Sequence, residues 1–588
     1  MTDVLQSLPQ LEGLCERLYN AQSQQERSQV EAMLGVFGQS TEYIVHLKAI
    51  LDNSSSPYAQ HMAATSLLKL ATEHSLSAQV RTEMKAYFLQ YLDSKGPVLQ
   101  HFVVVQLVQL LCRTVKLGWF DHDSHRNIVE DCKVLMDKGS PPHYLLSLRI
   151  LNTLVMEMNS PTPGRTLTQH RKAAVSFRDG ALLRVFTLSL GALADMASKG
   201  ADAKLKEQGL MLCSACLSFD FVGTCLDDSS EELCTIQVPS SWRPPIEEPS
   251  TVSLLLEYYA ASTPPLSNTA LECLVRLASV RRSLFTSDQE RGRFLNRLVA
   301  GTRDIMATKR GLSEHDNYHE LCRLLGRLKT NYQLSELVGV EHYTEWIQLV
   351  AELTINSLNS WQWAATSVYY LLGLWSRLVS SMPYLKGDSP SLLETNVPAI
   401  TQAYITSRLE SVGLVLQNGL LEDMLDNEEA LAEQLDALPY LVRFQYDKSA
   451  AFITRLLDPL LDAFSKATSA ALPPQQQAVL EGQLTWLVYI VGAIIKGRLS
   501  SSSAESQESV DGDLAARVFS LLTVADEGLH AQRYGETSRQ RLDMAILHFF
   551  QCFRKVYIGE QVMHSSKVYG RLGERLGLTD HPAVLNVM

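Results

Sequence analysis

A chain of 588 residues, 46% hydrophobic and 20% charged, has enough apolar side chain to build a core without metal or disulfides and is too apolar to stay disordered. Its formal net charge of −12 argues against the nonspecific grip on a nucleic-acid backbone that a basic surface provides. Ten thinly spread cysteines exclude a dense disulfide scaffold and point to a reducing compartment.

The N-terminus, Met1-Thr2-Asp3-Val4-Leu5, has no basic stretch leading into an apolar run, so no signal peptide is read there. Helical periodicity follows. Leu99, Val103, Leu107, Leu110 and Leu111 fall on one helical face, and Trp346, Leu349, Val350 and Leu353 repeat the i, i+3, i+4, i+7 template. Breakers cut the pattern into short helices. Pro57, Pro97 and Pro141 stand 40 and 44 residues apart, close to the ~40–47-residue period of HEAT and armadillo helix pairs. Asp179-Gly180 lacks the alternating flanks of a hairpin, and strand-like alternation is rare throughout.

Cys213-Ser-Ala-Cys216, with Cys225 and Cys234, is the one metal-like grouping, but only its first pair is close and it lies in an apolar run. Two core cysteines on a buried helix are the better reading. Residues 219–250, with paired acids and four prolines, read as an irregular loop. Residues 276–310 carry nine cations against three acids, a local balance of +6. Arg281, Arg282, Arg293 and Arg297 of that segment could dock an acidic partner, or form a solvated face with salt bridges to neighbouring repeats. Trp361, Trp363 and Trp375 read as inter-repeat core rather than a base-stacking platform.

Asn418-Gly419 and Asp511-Gly512 read as helix ends. Between them, the acidic run 422–433, with Glu422, Asp423, Glu428 and Glu429, could receive a basic protein surface or be an exposed, solvated loop. Residues 465–477 read as a loop. Leu484–Ile495 is the most apolar stretch but is shorter than the roughly 20 residues of a membrane span, so it reads as a buried core helix. Ser500–Ser509 reads as a serine-rich linker.

The architecture implied is all-α: a HEAT/armadillo-type helical-repeat superhelix, an α-solenoid. One helix pair cannot bury both faces, whereas stacked pairs share a continuous core and offer a long surface to large partners. The sequence has no P-loop, Gly-x-Ser-x-Gly elbow, His-Glu-x-x-His or dinucleotide fingerprint, and its histidines show no ligand spacing. An enzyme is not expected, nor a cofactor, nor membrane insertion.

Longer phrases carry a resemblance. They include Lys116-Leu-Gly-Trp-Phe-Asp121, Ser176-Phe-Arg-Asp179, Ser218-Phe-Asp-Phe-Val-Gly-Thr224 and Leu233-Cys-Thr-Ile-Gln-Val-Pro-Ser-Ser-Trp-Arg243. Ala278-Ser-Val-Arg-Arg-Ser-Leu-Phe285, Asn317-Tyr-His-Glu320, Tyr404-Ile-Thr-Ser-Arg-Leu-Glu-Ser-Val412 and Leu484-Thr-Trp-Leu-Val-Tyr-Ile490 continue the series. In this order they resemble the exportin-7 family of Ran-binding exportins, within the importin-β superfamily. Glu31, Met33, Leu34 and Phe37, then Gln60–Leu70, resemble the importin N-terminal module.

The resemblance implies a nuclear transport receptor that shuttles between nucleus and cytoplasm through the nuclear pore. Its implied partners are Ran-GTP, protein cargo and the pore's Phe-Gly proteins. It implies Ran docking on the solvent-facing members of Gln60–Leu70 and Phe102–Val115, with Gln60, Thr65, Lys69 and Gln109 as the residues expected to take part. The expected division is 1–120 as Ran-docking repeats, 121–498 as further HEAT-type repeats, 499–512 as linker and 513–588 as more repeats. Family members are about twice as long, so the array reads as truncated at Met588, without the C-terminal arch. Gln22–Gly38 and Ser500–Ser509 also depart from the family pattern. A scaffold that holds protein partners without Ran coupling is the alternative.

Overall fold

The computed structural model describes residues 2–222, 235–386, 390–497, 505–558 and 566–588. The chain divides into two compact units, Met1–Phe294 and Leu295–Met588. Among the described residues the architecture is all-α helical repeat, and the β content is one isolated bridge, Ile236 to Val280.

In the first unit, helices Pro57–Glu73, His101–Leu117, Pro141–Asn159, Ala203–Leu217 and Leu266–Ala278 pack in succession. Each also packs on the helix before it in its own pair: Ile44–Asn53, Ala78–Lys95, Ile128–Met136, Leu183–Lys199 and Pro249–Ala261. The first three of the successive helices begin at 57, 101 and 141, in step with the early prolines. Pro57 and Pro141 take the first helical turn, where a missing N–H costs nothing. Ser56 supports the first of these helices by accepting from Ala59 N. Val103, Leu107, Leu110 and Leu111 are fully buried on their face, while Leu99 lies just ahead of the helix.

The second unit has two rows as well. One runs His315–Asn331, Val368–Ser381, Glu428–Phe444, Pro474–Lys496 and Thr537–Tyr557. The other runs Tyr343–Asn359, Leu393–Gln417, Tyr446–Lys466, Glu505–Ala525 and Lys567–Leu576. Indole donors are satisfied inside it: Trp346 Nε1 donates to Thr302 Oγ1 at 3.0 Å and Trp375 Nε1 to Thr354 Oγ1 at 2.9 Å.

The structure corrects several sequence readings. Proline does not always break a helix here, since Pro398, Pro439 and Pro459 lie inside helices. Asp179-Gly180 sits in a π-helical turn, Arg178–Leu182, joining helices Leu167–Phe177 and Leu183–Lys199. Trp361 and Trp375 are core, but Trp363 is 41% exposed. The loop at 465–477 narrows to 467–473. Residues 505–512 of the expected linker begin helix Glu505–Ala525, and 499–504 lie outside the described residues. Asp511-Gly512 is therefore mid-helix. A Cβ on Gly512 would come within 2.8 Å of Arg571 Cβ and 3.1 Å of Val568 backbone, so this glycine serves close helix packing rather than a cap.

The apolar stretch 484–495 belongs to the 23-residue helix Pro474–Lys496, long and apolar enough by itself to cross a membrane, as is Leu167–Lys199. Burial supports the core reading of the first, with 72% of its apolar window inside the fold; the share is 44% for the second.

The first of the resembling phrases is a packing hub. Trp119 is buried against Phe177, with ring centroids 5.6 Å apart, and donates to Ser176 Oγ at 2.9 Å. Asp121 pairs with Arg81 at 2.6 Å. Gly118 leaves room for the fully buried His125, whose ring would lie 2.4 Å from a Cβ there. Burial pulls the His125 pKa down to about 4, against the attraction of Asp121. The unfolded chain then binds the extra proton first, so the contribution is intact above pH 6.5 and is lost as pH falls toward 4. We expect unfolding free energy to fall by about 2 kcal/mol between pH 7 and pH 5 from this group. Denaturant titrations of the wild type and His125→Gln at both pH values measure it, and an unchanged difference between the two proteins contradicts it.

Candidate functional site

Helix Pro57–Glu73 places Tyr58, His61, Thr65 and Lys69 at i, i+3, i+7 and i+11, on one face. Helix His101–Leu117 places Phe102, Val105 and Gln109 on the corresponding stripe. Thr65 and Lys69 are exposed, and Lys69 lies 4.0 Å from Glu73. The Lys69 stem passes over Gly38, where a Cβ would meet its Cδ at 3.0 Å.

Gln60, expected on the solvent side, is buried at 8% exposure, and its Nε2 donates to Ser54 O at 2.8 Å. Its amide ties down the preceding turn. Gln109 is half-buried, and its Nε2 donates to Glu157 Oε2 at 2.7 Å. Of the four expected residues, Thr65 and Lys69 have exposed side chains.

Two groupings on these helices were missed from sequence. The first is aromatic. Tyr19, 62% exposed, lies with its ring centroid 4.3 Å from Tyr58 and 6.2 Å from Phe102, and His61 lies 5.5 Å from Phe102. Burial holds the His61 pKa below its ordinary value, which disfavours a charge within this platform. Exposed Val105 extends the stripe. Aromatic rings at the surface are the side chains that anchor protein interfaces. The i+3, i+7 spacing of Tyr58, His61 and Thr65 was the available signal.

The second is a buried ionic hub. Glu157 accepts from Arg113 and Gln109, Arg113 also donates to Thr72 Oγ1 at 2.8 Å, and Lys116 Nζ donates to Glu157 O at 2.8 Å. Burial pushes the Lys116 pKa down to about 8, against the attraction of Glu157. The hub fixes helices 57–73, 101–117 and 141–159 to one another, and so fixes the spacing of the exposed face. Its bonded pairs are 41 to 48 residues apart in sequence, beyond any local pattern.

The charged segments are partly neutralised within the chain. In the first unit Arg281 donates to Gln237 Oε1 at 3.1 Å, Arg282 pairs with Asp288 at 2.6 Å, and Arg293 pairs with Glu290 at 2.5 Å. Arg297, in the second unit, is half-buried. In the acidic run Asp423 pairs with Arg541 at 2.6 Å, and Asp426 contacts the same guanidinium. Glu422, Glu428 and Glu429 are exposed, the last two in the first turn of their helix, where the dipole favours a negative charge. Cys213 and Cys216 are buried on helix Ala203–Leu217, as expected of core residues. Cys225 and Cys234 lie outside the described residues, and no metal-ligand cluster occurs among the described ones.

The comparisons agree with one another. Residues 412–588 match the family model described as Exportin-7-like, TPR domain. The chain is 43% identical over 600 residues to Exportin-7-A of Xenopus laevis, covering 100% of this chain and 54% of that protein. It is 40% identical over 596 residues to Ran-binding protein 17 of Homo sapiens, covering 99% and 54%, and 36% identical over 508 residues to Exportin-7 of Dictyostelium discoideum, covering 85% and 49%. The chain thus spans about half the length of the curated relatives it matches.

Proposed function

The chain belongs to the exportin-7 family, and on that footing we propose that it is a nuclear transport receptor of the exportin kind, binding Ran in its GTP state together with protein cargo. The observation that carries this reading is the match along the whole chain to relatives named exportin-7 and Ran-binding protein. Ran docks on the face formed by Tyr58, His61, Thr65 and Lys69 with Phe102 and Val105. The aromatic side chains supply buried area, and Lys69 supplies charge.

Cargo meets the charged segments, with Arg281, Arg282, Arg293 and Arg297 facing acidic surfaces and Glu422, Asp423, Glu428 and Glu429 facing basic ones. Phe-Gly proteins of the nuclear pore enter a groove of about 530 Å³ lined by Met136, Pro141, Tyr144, Leu188, Ala192 and Met196. The mechanism is linkage: Ran-GTP and cargo favour the same arrangement of repeats, so each raises the other's affinity by the same factor. GTP hydrolysis on Ran then releases both on the cytoplasmic side.

A pull-down with Ran locked in its GTP form tests this. The chain is retained by Ran-GTP and not by Ran-GDP, and Lys69→Glu weakens retention by roughly tenfold or more. Equal binding to both nucleotide states, or to neither, overturns the reading. If partner capture proves insensitive to added Ran-GTP, the chain is a scaffold without Ran coupling.

A further inference from the structure

The second unit contains a cavity of about 350 Å³ whose walls include Trp361, Tyr369, Arg408, Leu431, Gln434 and Trp486. Arg408 is 1% exposed. Its Nη1 donates to Ser407 Oγ at 3.2 Å and its Nη2 to Gln434 Oε1 at 3.0 Å, and the guanidinium lies 4.6 Å from the centre of the Tyr404 ring. All of these partners are neutral. Among the described residues no carboxylate comes within ion-pairing reach of Arg408, and its Nε has no hydrogen-bond partner. Trp486, also 1% exposed, has an Nε1–H without a partner. A buried cation without a counter-charge and a buried donor without an acceptor, both among the residues lining one cavity, make an unfinished site.

The mouth has the opposite character. Glu422, Glu429 and Glu433 line the cavity and are exposed. Asp423 is already held by Arg541, and Gln362 pins the loop by donating to Glu422 O at 3.0 Å. A simple anion would be repelled at this rim, and a simple cation would leave the interior donors unmet. The two ends together call for a ligand with a carboxylate at one end and a cation a side chain's length away. The cavity is the size of a small-ligand pocket, too small for a folded surface.

We propose that this cavity binds a carboxylate borne next to a basic side chain, the chemistry of a polypeptide ending in lysine or arginine. The carboxylate completes Arg408 and accepts from the Trp486 N–H. The aliphatic stem lies along Trp361 and Tyr369, and the ammonium or guanidinium meets Glu429, Glu433 and Glu422 at the mouth. Nothing in this assignment depends on Ran or on transport.

Fluorescence anisotropy on the full chain at low salt tests it, using a labelled peptide with a C-terminal arginine and a free carboxylate. Saturable binding is expected, and the same peptide with an amidated C-terminus binds at least roughly 30-fold more weakly. Glu429→Gln with Glu433→Gln, both at exposed positions, weakens binding by about tenfold. Arg408→Met, which keeps side-chain length while removing the charge, abolishes it. Competition by free arginine identifies the source: equal molar potency assigns the site to the amino acid, and much weaker potency assigns it to a chain end. Equal affinity of the amidated peptide, or affinity indifferent to the glutamate pair, overturns the proposal even if Arg408→Met fails to fold.

Discussion

Replacing Asp511 by alanine is expected to lower unfolding free energy by about 3–5 kcal/mol, the cost of leaving a buried charge without its partner. Asp511 and Arg443 face each other at 2.9 Å with side chains 1% and 2% exposed. Arg443 also donates to Ile494 O at 2.9 Å, and both Tyr446 and Tyr557 donate to the Asp511 carboxylate. One carboxylate thus joins helices 428–444, 446–466, 505–525 and 537–557 of the second unit, and Arg443 ties in helix 474–496. Burial and the Asp511 charge together push the Tyr446 phenol well above its ordinary pKa, so it remains a donor. Asn at 511 keeps the shape but not the charge, and should recover only part of the loss. Denaturant unfolding of the three proteins gives the answer. A loss below about 1 kcal/mol for the alanine variant, the size of a surface pair, would show that the cluster is solvated in solution.

Glu157→Ala is expected to cost a comparable amount, about 3–5 kcal/mol, for the same reason. It strands Arg113, 13% exposed, removes the carboxylate 3.9 Å from the buried Lys116 Nζ, whose bonds to backbone carbonyls remain, and frees Gln109. A second consequence separates it from Asp511→Ala. The Glu157 hub holds the helices that carry Lys69 and Val105 in register, so Ran-GTP retention should weaken with Glu157→Ala under conditions where the variant is still folded. Circular dichroism establishes the folded state, and the pull-down reads retention. Unchanged retention in a folded Glu157→Ala protein would separate the hub from the docking face.

Both variants concern ionic cores that no local pattern announces. Asp511 sits before a glycine and so reads as a helix end, yet Gly512 is there because Val568 and Arg571 approach it closely. Lys116 and Trp119 lie in a phrase typical of the family, but their partners, Glu157 and Ser176, are 41 and 57 residues away. Trp361 and Trp363 are two residues apart in one short helix, and only the first is buried.

What the amino-acid sequence determined by itself was the helical class, the step of the early repeats and the family. The first two are carried by 3.6-residue periodicity and by proline at helix starts, which act within a single turn. The family is carried by phrases long enough to be specific. Only the tertiary structure decided which of the expected side chains reach solvent. Gln60 turned inward to Ser54, Gln109 was taken by Glu157, and Thr65 and Lys69 remained outside. It alone brought Arg408, Trp486 and the glutamates of the acidic run around one cavity. The physical reason is range. A helix sets its own periodicity with hydrogen bonds four residues apart, whereas the buried charge pairs join residues 41 to 68 apart on stacked helices, and the cavity draws its walls from Trp361 to Trp486.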